Sequence, residues 1–375
     1  MKKLLLASTA LVMTAGAAAA QVSLSGDARM GIVYDNGIPA QTAGVNNNTA
    51  KMQFTSRARV TFTMSGETDA GLAFGASFRA DNAGAAAGNT GMTGGSVFID
   101  GEFGRLTFGD VAGAARATVG DLYGVGLTGL GDLNEATYLD RVFSVGGATE
   151  INRRTSVLYQ YSIDAFTFRA SVGQQRRTDD SGFDVVNNVA VSRPATEKFK
   201  DTLYALGVSY SLDGLTLSAG YEAGKASFND IADPANNTKL SASHIIIGAE
   251  YAIDNFKVKA VAGRVGGDLG TILGGLTNLS RSHYGVSVSG EFDATTVTAF
   301  ARRTIQSSTN YGIGASYDLG GGASLRGGIS RQGATKSPVV PSGFTLPGNV
   351  DDAFGPTLGA APSRTRADFG LNFTF

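Results

Sequence analysis

The chain of 375 residues has two histidines, His244 and His283, and no cysteine. A transition-metal site would have to be assembled from those two imidazoles and a few carboxylates, a thin ligand set. Alternation puts His244 on a wet face. A lone imidazole is no catalytic triad, and no Gly-x-Ser-x-Gly nucleophile elbow occurs. Gly124-Val-Gly126-Leu-Thr-Gly129 has the spacing of a dinucleotide-binding turn, but lacks the strand before it and the helix after it that such a turn needs. What remains is fixed charge. Asp121, Asp132, Glu135 and Asp140 crowd into one segment, while Arg29, Arg57, Arg59, Arg79, Arg326 and Arg366 recur on the wet faces of alternating segments near the two ends of the chain. Charges held in this way make and break no bonds; they select the ions and dipolar solutes that pass close to them.

The elements that position these charges alternate with period two. Val22, Leu24, Ala28, Met30, Ile32 and Tyr34 share one face and Ser23, Ser25, Asp27 and Arg29 the other. Met52, Phe54, Ala58, Val60, Phe62 and Met64 oppose Gln53, Thr55, Arg57, Arg59, Thr61 and Thr63, and Leu72 to Asp81 repeats the pattern. Successive side chains of a strand point to opposite faces, so each segment is a ribbon with one oily and one wet side. Sixteen such ribbons run from 22–34 to 364–375. Seven tight connections, at 66–70, 102–103, 163–164, 212–213, 253–254, 291–293 and 319–322, carry the Gly, Asp and Asn of hairpin turns. They alternate strictly with 35–50, 82–95, 111–153, 174–200, 223–241, 265–280, 304–308 and 332–363, most of them long.

A soluble sandwich would also carry one oily face per strand. Against it stand the even strand count with trimmed turns at one end only, the pattern of an outer-membrane barrel, and two sets of aromatics. Tyr161, Phe166, Tyr210, Tyr251, Phe256, Tyr317 and Phe375 lie where short turns meet strands; Tyr34, Phe78, Tyr221, Tyr284 and Tyr311 lie toward the long loops. Two such girdles suit the two interfaces of a bilayer. The prediction is a sixteen-stranded antiparallel transmembrane β-barrel, all-β, over residues 21–375. At that size side chains cannot fill the interior, so the Ser, Thr, Arg, Asp and Gln of the wet face line water.

Composition agrees. Glycine supplies 52 residues, roughly twice the usual ~7% share. Acids and bases balance at 32 and 31, which excludes a basic nucleic-acid binder. Lys2 and Lys3, the apolar Leu4–Met13 and Ala18-Ala19-Ala20 read as a cleavable export signal over 1–20. No later apolar run approaches the ~20 residues of a membrane helix.

The segments Val22-Ser-Leu-Ser-Gly-Asp-Ala-Arg-Met-Gly, Ser56-Arg-Ala-Arg-Val-Thr-Phe, Gly66-Glu-Thr-Asp-Ala-Gly-Leu-Ala-Phe-Gly, Phe103-Gly-Arg-Leu-Thr-Phe-Gly-Asp110 and Asp368-Phe-Gly-Leu-Asn-Phe-Thr-Phe375, in this order, resemble the sixteen-stranded general diffusion porins of alphaproteobacteria. The resemblance implies a homotrimer in the Gram-negative outer membrane, in contact with lipid and lipopolysaccharide, that passes small hydrophilic solutes and is not an enzyme. It implies that the third long loop, 111–153, folds into the barrel. Leu122, Tyr123, Val125, Leu127 and Leu130 there suit a packed loop better than one in open water. The loop acids Asp121, Asp132, Glu135 and Asp140 would then face a basic wall of Arg29, Arg57, Arg59, Arg79, Arg326 and Arg366 across the narrowest section. The alternative is that these arginines only solvate a wide lumen and pair with Asp27, Asp81 and Asp368. Related porins bind Ca²⁺, and Asp351-Asp352 or the loop acids offer oxygen ligands, although their spacing specifies no site; no other cofactor is expected. Other readings are a channel with one preferred solute, an outer-membrane barrel enzyme such as a lipid hydrolase, which would need an outward Ser–His pair that the sequence lacks, and a structural barrel with a filled lumen.

Overall fold

The computed structural model describes residues 21–37, 51–83, 91–92, 95–142, 155–179, 182–186, 189–193, 197–230, 238–276, 278–336 and 361–375. The export signal at 1–20 and Asp351-Asp352 lie outside the described residues. Sixteen long strands form one antiparallel sheet: β1 (Gln21–Asp35), β2 (Met52–Glu67), β3 (Ala73–Ala83), β4 (Ser96–Gly101), β5 (Gly104–Gly109), β6 (Thr155–Ile163), β7 (Phe166–Asp179), β8 (Glu197–Leu212), β9 (Leu215–Asp230), β10 (Thr238–Ile253), β11 (Phe256–Gly266), β12 (Ser282–Phe292), β13 (Thr295–Arg303), β14 (Thr309–Gly320), β15 (Ala323–Gln332) and β16 (Arg364–Thr374). Each pairs with its sequence neighbour, and β16 returns to β1 from Asp27↔Thr374 to Asp35↔Arg366. Gly26 and Phe375 exchange backbone hydrogen bonds of 3.2 and 2.9 Å at that seam. Closure leaves the sheet no open edge, which hydrocarbon requires.

The period-two reading of the sequence survives as a division between surfaces. Leu24, Met30, Phe54, Leu206, Ile245, Ile247, Ile313 and Phe369 are exposed on the outside. The girdle residues Tyr251, Phe256, Tyr317 and Phe375 at the short turns, and Tyr221, Tyr284 and Tyr311 at the other end, are exposed with them. Phe166 packs against Tyr210 at 4.8 Å, and Phe78 stacks on Phe62 at 4.9 Å. The short turns sit within about two residues of their expected places. Asp164, Asp213, Asp254 and Asp293 each take positive φ, between 48° and 51°, the left-handed backbone that Asp tolerates and that matches a hairpin to strand twist.

Three features escaped the strand pattern. A separate hairpin pairs Gly182–Val186 with Val189–Arg193, inside the stretch read as a plain loop. A two-residue strand, Gly91–Met92, extends the sheet beside β3. Helices occur in two loops: α1 (Ala114–Val119), α2 (Leu139–Val142) and α3 (Gly267–Gly275). In α1 the run Ala-Ala-Arg-Ala is helix-favouring composition that a period-two search passes over.

Candidate functional site

Residues 111–142 contribute to a packed hydrophobic cluster. Ala114, Ala115, Val119, Leu122, Val125, Leu130, Leu133, Ala136 and Tyr138 are buried together with Ala205, Ile246, Val261 and Phe300 from the strands, and Leu158 of β6 packs against them. The loop touches the wall at widely separated points. Ala114 N–H donates to Ser171 Oγ on β7 (2.8 Å), Leu139 N–H to Glu222 on β9 (2.9 Å) and Tyr123 N–H to Ser287 Oγ on β12 (3.1 Å). Ser330 Oγ on β15 donates to Leu130 O (3.2 Å). One loop thus touches β6, β7, β9, β12, β15, β16 and β1, and side chains like Leu122 and Leu130 find their packing against these strands.

The strongest attachment is Asp368 on β16, 6% exposed. Its carboxylate accepts Leu127 N–H (2.9 Å), Thr128 N–H (2.6 Å) and Thr128 Oγ–H (2.7 Å). Two arginines finish the same docking site: Arg29 donates to Leu127 O and Arg366 to Leu130 O, both at 3.3 Å. Arg366 also pairs with Asp35 at 3.2 Å, as does Arg364. The chain reverses here through four successive left-handed residues, Gly129 to Asp132, with φ between 51° and 83°. This explains the glycine spacing that imitated a nucleotide-binding turn: Gly126 and Gly129 need φ near 80°, not a pyrophosphate.

Strand glycines give the loop room. A Cβ on Gly314 would stand 2.9 Å from Gly126 N and 3.1 Å from Val125 Cβ. Gly314→Leu should therefore strain the docked loop by about 1–3 kcal/mol, read as faster proteolytic cutting within 121–135 of the folded protein.

The arginines expected on one wall do lie on five adjacent strands, β15, β16, β1, β2 and β3, but they divide by partner. Arg29 and Arg366 hold the loop. On β2, Arg57 and Arg59 both grip Asp27, at 3.0 and 2.7 Å, and on β3 Arg79 chelates Asp81. Arg29 and Arg57 are directly opposed across β1–β2, a repulsion that Asp27 and the Leu127 carbonyl offset. Arg326 bonds Ser324 on its own strand at 3.0 Å. The pairings with Asp27 and Asp81 are those of the alternative reading; Asp368 binds loop backbone instead of an arginine side chain.

The loop acids divide too. Asp121 Oδ1 accepts Ala136 N–H at 2.7 Å, tying the two stems of the loop together. Asp140 accepts Gly113 N–H at 3.1 Å and pairs with Arg116 at 2.9 Å. Asp132 is exposed in the reversal, and Glu135 follows it, half-buried. A pocket of about 440 Å³ separates the Thr128–Gly131 reversal from Arg29, Asp35, Lys51, Gln53 and Thr55 of the wall. Among the described residues no cluster of three or more His, Asp or Glu could hold a metal.

One constellation was missed. Glu222, His244 and His283 are 0%, 1% and 1% exposed and joined in a line: His244 Nδ1 to Glu222 Oε2 at 2.9 Å, His244 Nε2 to His283 Nε2 at 2.9 Å. The partner of His244 lies two strands away, a juxtaposition that alternation along single strands does not reveal.

A model of the family described as Gram-negative porin matches residues 7–337. A porin of Rhodobacter capsulatus is 35% identical over 314 residues, covering 80% of this chain and 90% of that protein. Among solved structures, a porin refined at 1.8 Å resolution superposes with TM-score 0.59 at 31% identity, over 95% of this chain and all of the other. A triple mutant of Rhodopseudomonas blastica porin superposes with TM-score 0.52 at 19% identity over the same shares, a likeness of fold.

Proposed function

The chain belongs to the Gram-negative porin family, and from that premise we propose how its outer-membrane diffusion channel selects what it passes. The observation that carries the proposal is the attachment of loop 111–142 to strands from β6 round to β1; in this reading the loop lies inside the barrel, and Arg57, Arg59 and Arg79 on the next strands, β2 and β3, face it across the open section. The section left open is narrower than the barrel and lined by charge, so small hydrophilic solutes and ions diffuse through it passively. Field lines between Arg57, Arg59 and Arg79 on one side and Asp132 and Glu135 on the other act on them as they pass. Diffusion of this kind needs no cofactor and no catalysis. Swelling of proteoliposomes in a graded series of neutral sugars tests the size limit. Entry of small sugars with exclusion of larger ones is expected; equal exclusion of all sugars would contradict an open channel.

The mature protein of this reading starts at Gln21 after removal of 1–20, works in the Gram-negative outer membrane among lipid and lipopolysaccharide, and associates as a trimer through the outer faces of the first and last strands. Phe54 is 91% exposed on β2, amid exposed Val22, Leu24, Met30 and Met52, and Ala28 pairs with Ala58 beside them. Bulky residues around a shallow alanine seam favour a close barrel-to-barrel contact that cyclic symmetry repeats. Phe54→Asp should dissociate the trimer, seen as loss of the slow band of unheated protein on electrophoresis. A slow band unchanged by that substitution would place the interface elsewhere.

A further inference from the structure

We propose that Glu222, His244 and His283 are positioning residues that latch the C-terminal stem of the inward loop, and so set the effective width of the channel. The proposal rests on the reading of that loop as the constriction. The three residues lie on β9, β10 and β12: Glu222 on β9 is the register partner of His244 on β10, and His283 on β12 is the register partner of Gly263 on the intervening β11. Gly263 is what lets the two rings meet across an intervening strand. A Cβ there would stand 2.4 Å from His283 Nε2 and 2.6 Å from His244 Nε2.

The hydrogen bonds form one connected line. Glu222 Oε2 accepts twice, from Leu139 N–H of the loop and from His244 Nδ1–H. His244 Nε2 and His283 Nε2, 2.9 Å apart, share one hydrogen bond whose proton either ring can carry. Ring centres 5.2 Å apart at 26° bring the two nitrogens nose to nose, the arrangement of a direct imidazole–imidazole hydrogen bond. Tyr138, the loop residue before Leu139, meets His244 edge-on at 6.0 Å, and its hydroxyl donates to Gly120 O at 2.6 Å, linking the loop's two stems. Burying three ionisable groups is costly unless each is bonded. Diffusion through a pore gives them no chemistry to perform. Among the described residues, the hydrogen bond they make to a movable element is the one to the Leu139 amide, so what they accomplish is to hold Glu222 rigidly in the place where that amide binds.

The test compares Glu222→Leu with Glu222→Gln in single-channel recordings and sugar uptake, using the full-length protein. Gln at 222 can put its amide oxygen where Oε2 stands and accept from both Leu139 N–H and His244 Nδ1–H. Both bonds are kept in the same direction, so Glu222→Gln should behave as wild type. Leu at 222 accepts nothing and leaves both donors unmet. Losing a hydrogen bond to a charged acceptor should raise the time the stem spends undocked roughly ten- to hundred-fold. That appears as more frequent high-conductance excursions and faster entry of sugars just above the wild-type limit. Gly263→Ala, which forces the rings apart, carries the same expectation. Wild-type excursions and size limit in Glu222→Leu, although removal of 122–135 widens the channel, would overturn the latch while sparing the constriction. If that removal also leaves the limit unchanged, the reading of the loop fails first. If Glu222→Leu and Gly263→Ala both fail to assemble while Glu222→Gln assembles, the chain supports the barrel instead of the loop, and the latch is wrong.

Discussion

Excising residues 122–135 should raise the solute size limit and the single-channel conductance several-fold without unfolding the barrel. The excision is geometrically mild, because Asp121 Oδ1 already bonds Ala136 N–H at 2.7 Å and the two stems lie side by side. It removes Leu122, Val125, Leu127, Leu130 and Leu133 from the lumen, and with them the plug that the wall supports. Among the wall groups it uncovers, Ser287, Ser330 and Asp368 are hydrophilic and meet water instead of loop backbone. The sixteen strands pair with one another through backbone bonds that the loop does not share. Heat-dependent mobility on electrophoresis should therefore stay that of a folded barrel, while liposome swelling admits sugars the wild type excludes. An unchanged size limit would mean that the loop does not set the width.

Replacing Arg57, Arg59 and Arg79 together with Gln should turn the channel strongly toward cations. Their partners stay behind: Asp27, now gripped by neither arginine, and Asp81. This stretch of wall passes from three positive and two negative charges to two negative ones. At ~8 Å in water each unit charge acts on a passing ion with about 0.5 kcal/mol. Three charges together correspond to roughly a tenfold change for each ion, up for cations and down for anions, and so to about a hundredfold change in cation-to-anion preference before screening. The screening length shrinks from ~8 Å at 0.15 M to ~3 Å at 1 M salt, so the shift should fade in concentrated salt. The opposite change, Asp132→Asn with Glu135→Gln, should move preference toward anions. Asp121 and Asp140 are poor choices for that experiment, because they bond loop amides and their loss disturbs shape as well as charge. Reversal potentials across a salt gradient measure both, and a triple variant with wild-type selectivity would remove β2 and β3 from the conducting path.

The barrel was legible in the sequence because period-two alternation is a local signal and the Asp- and Gly-bearing turns punctuate it. Met30, Phe54 and Ile313 point outward as their parity requires. That the third loop is packed and not free in water was legible through its surplus leucines. What parity could not give was partnership. Arg29, Arg57 and Arg366 share a face, yet Arg29 and Arg366 grip loop carbonyls and Arg57 grips Asp27, choices set by where a distant loop passes. Asp368 looked like a partner for an arginine and is instead the hook for Leu127 and Thr128, residues about 240 positions away. Glu222, His244 and His283 meet only because of register across β9–β12 and the missing side chain at Gly263. Short helices within loops, α1 above all, carry no period-two signature.

The most direct test of the central claim, a passive channel narrowed by its own loop, is single-channel recording of the purified protein in a planar lipid bilayer, wild type beside the 122–135 excision. The account predicts stepwise openings with an ohmic current–voltage relation at moderate voltage, conductance that rises with salt concentration, and larger steps for the excised form. Absence of steps from folded protein, or steps of equal size in the two proteins, would contradict it.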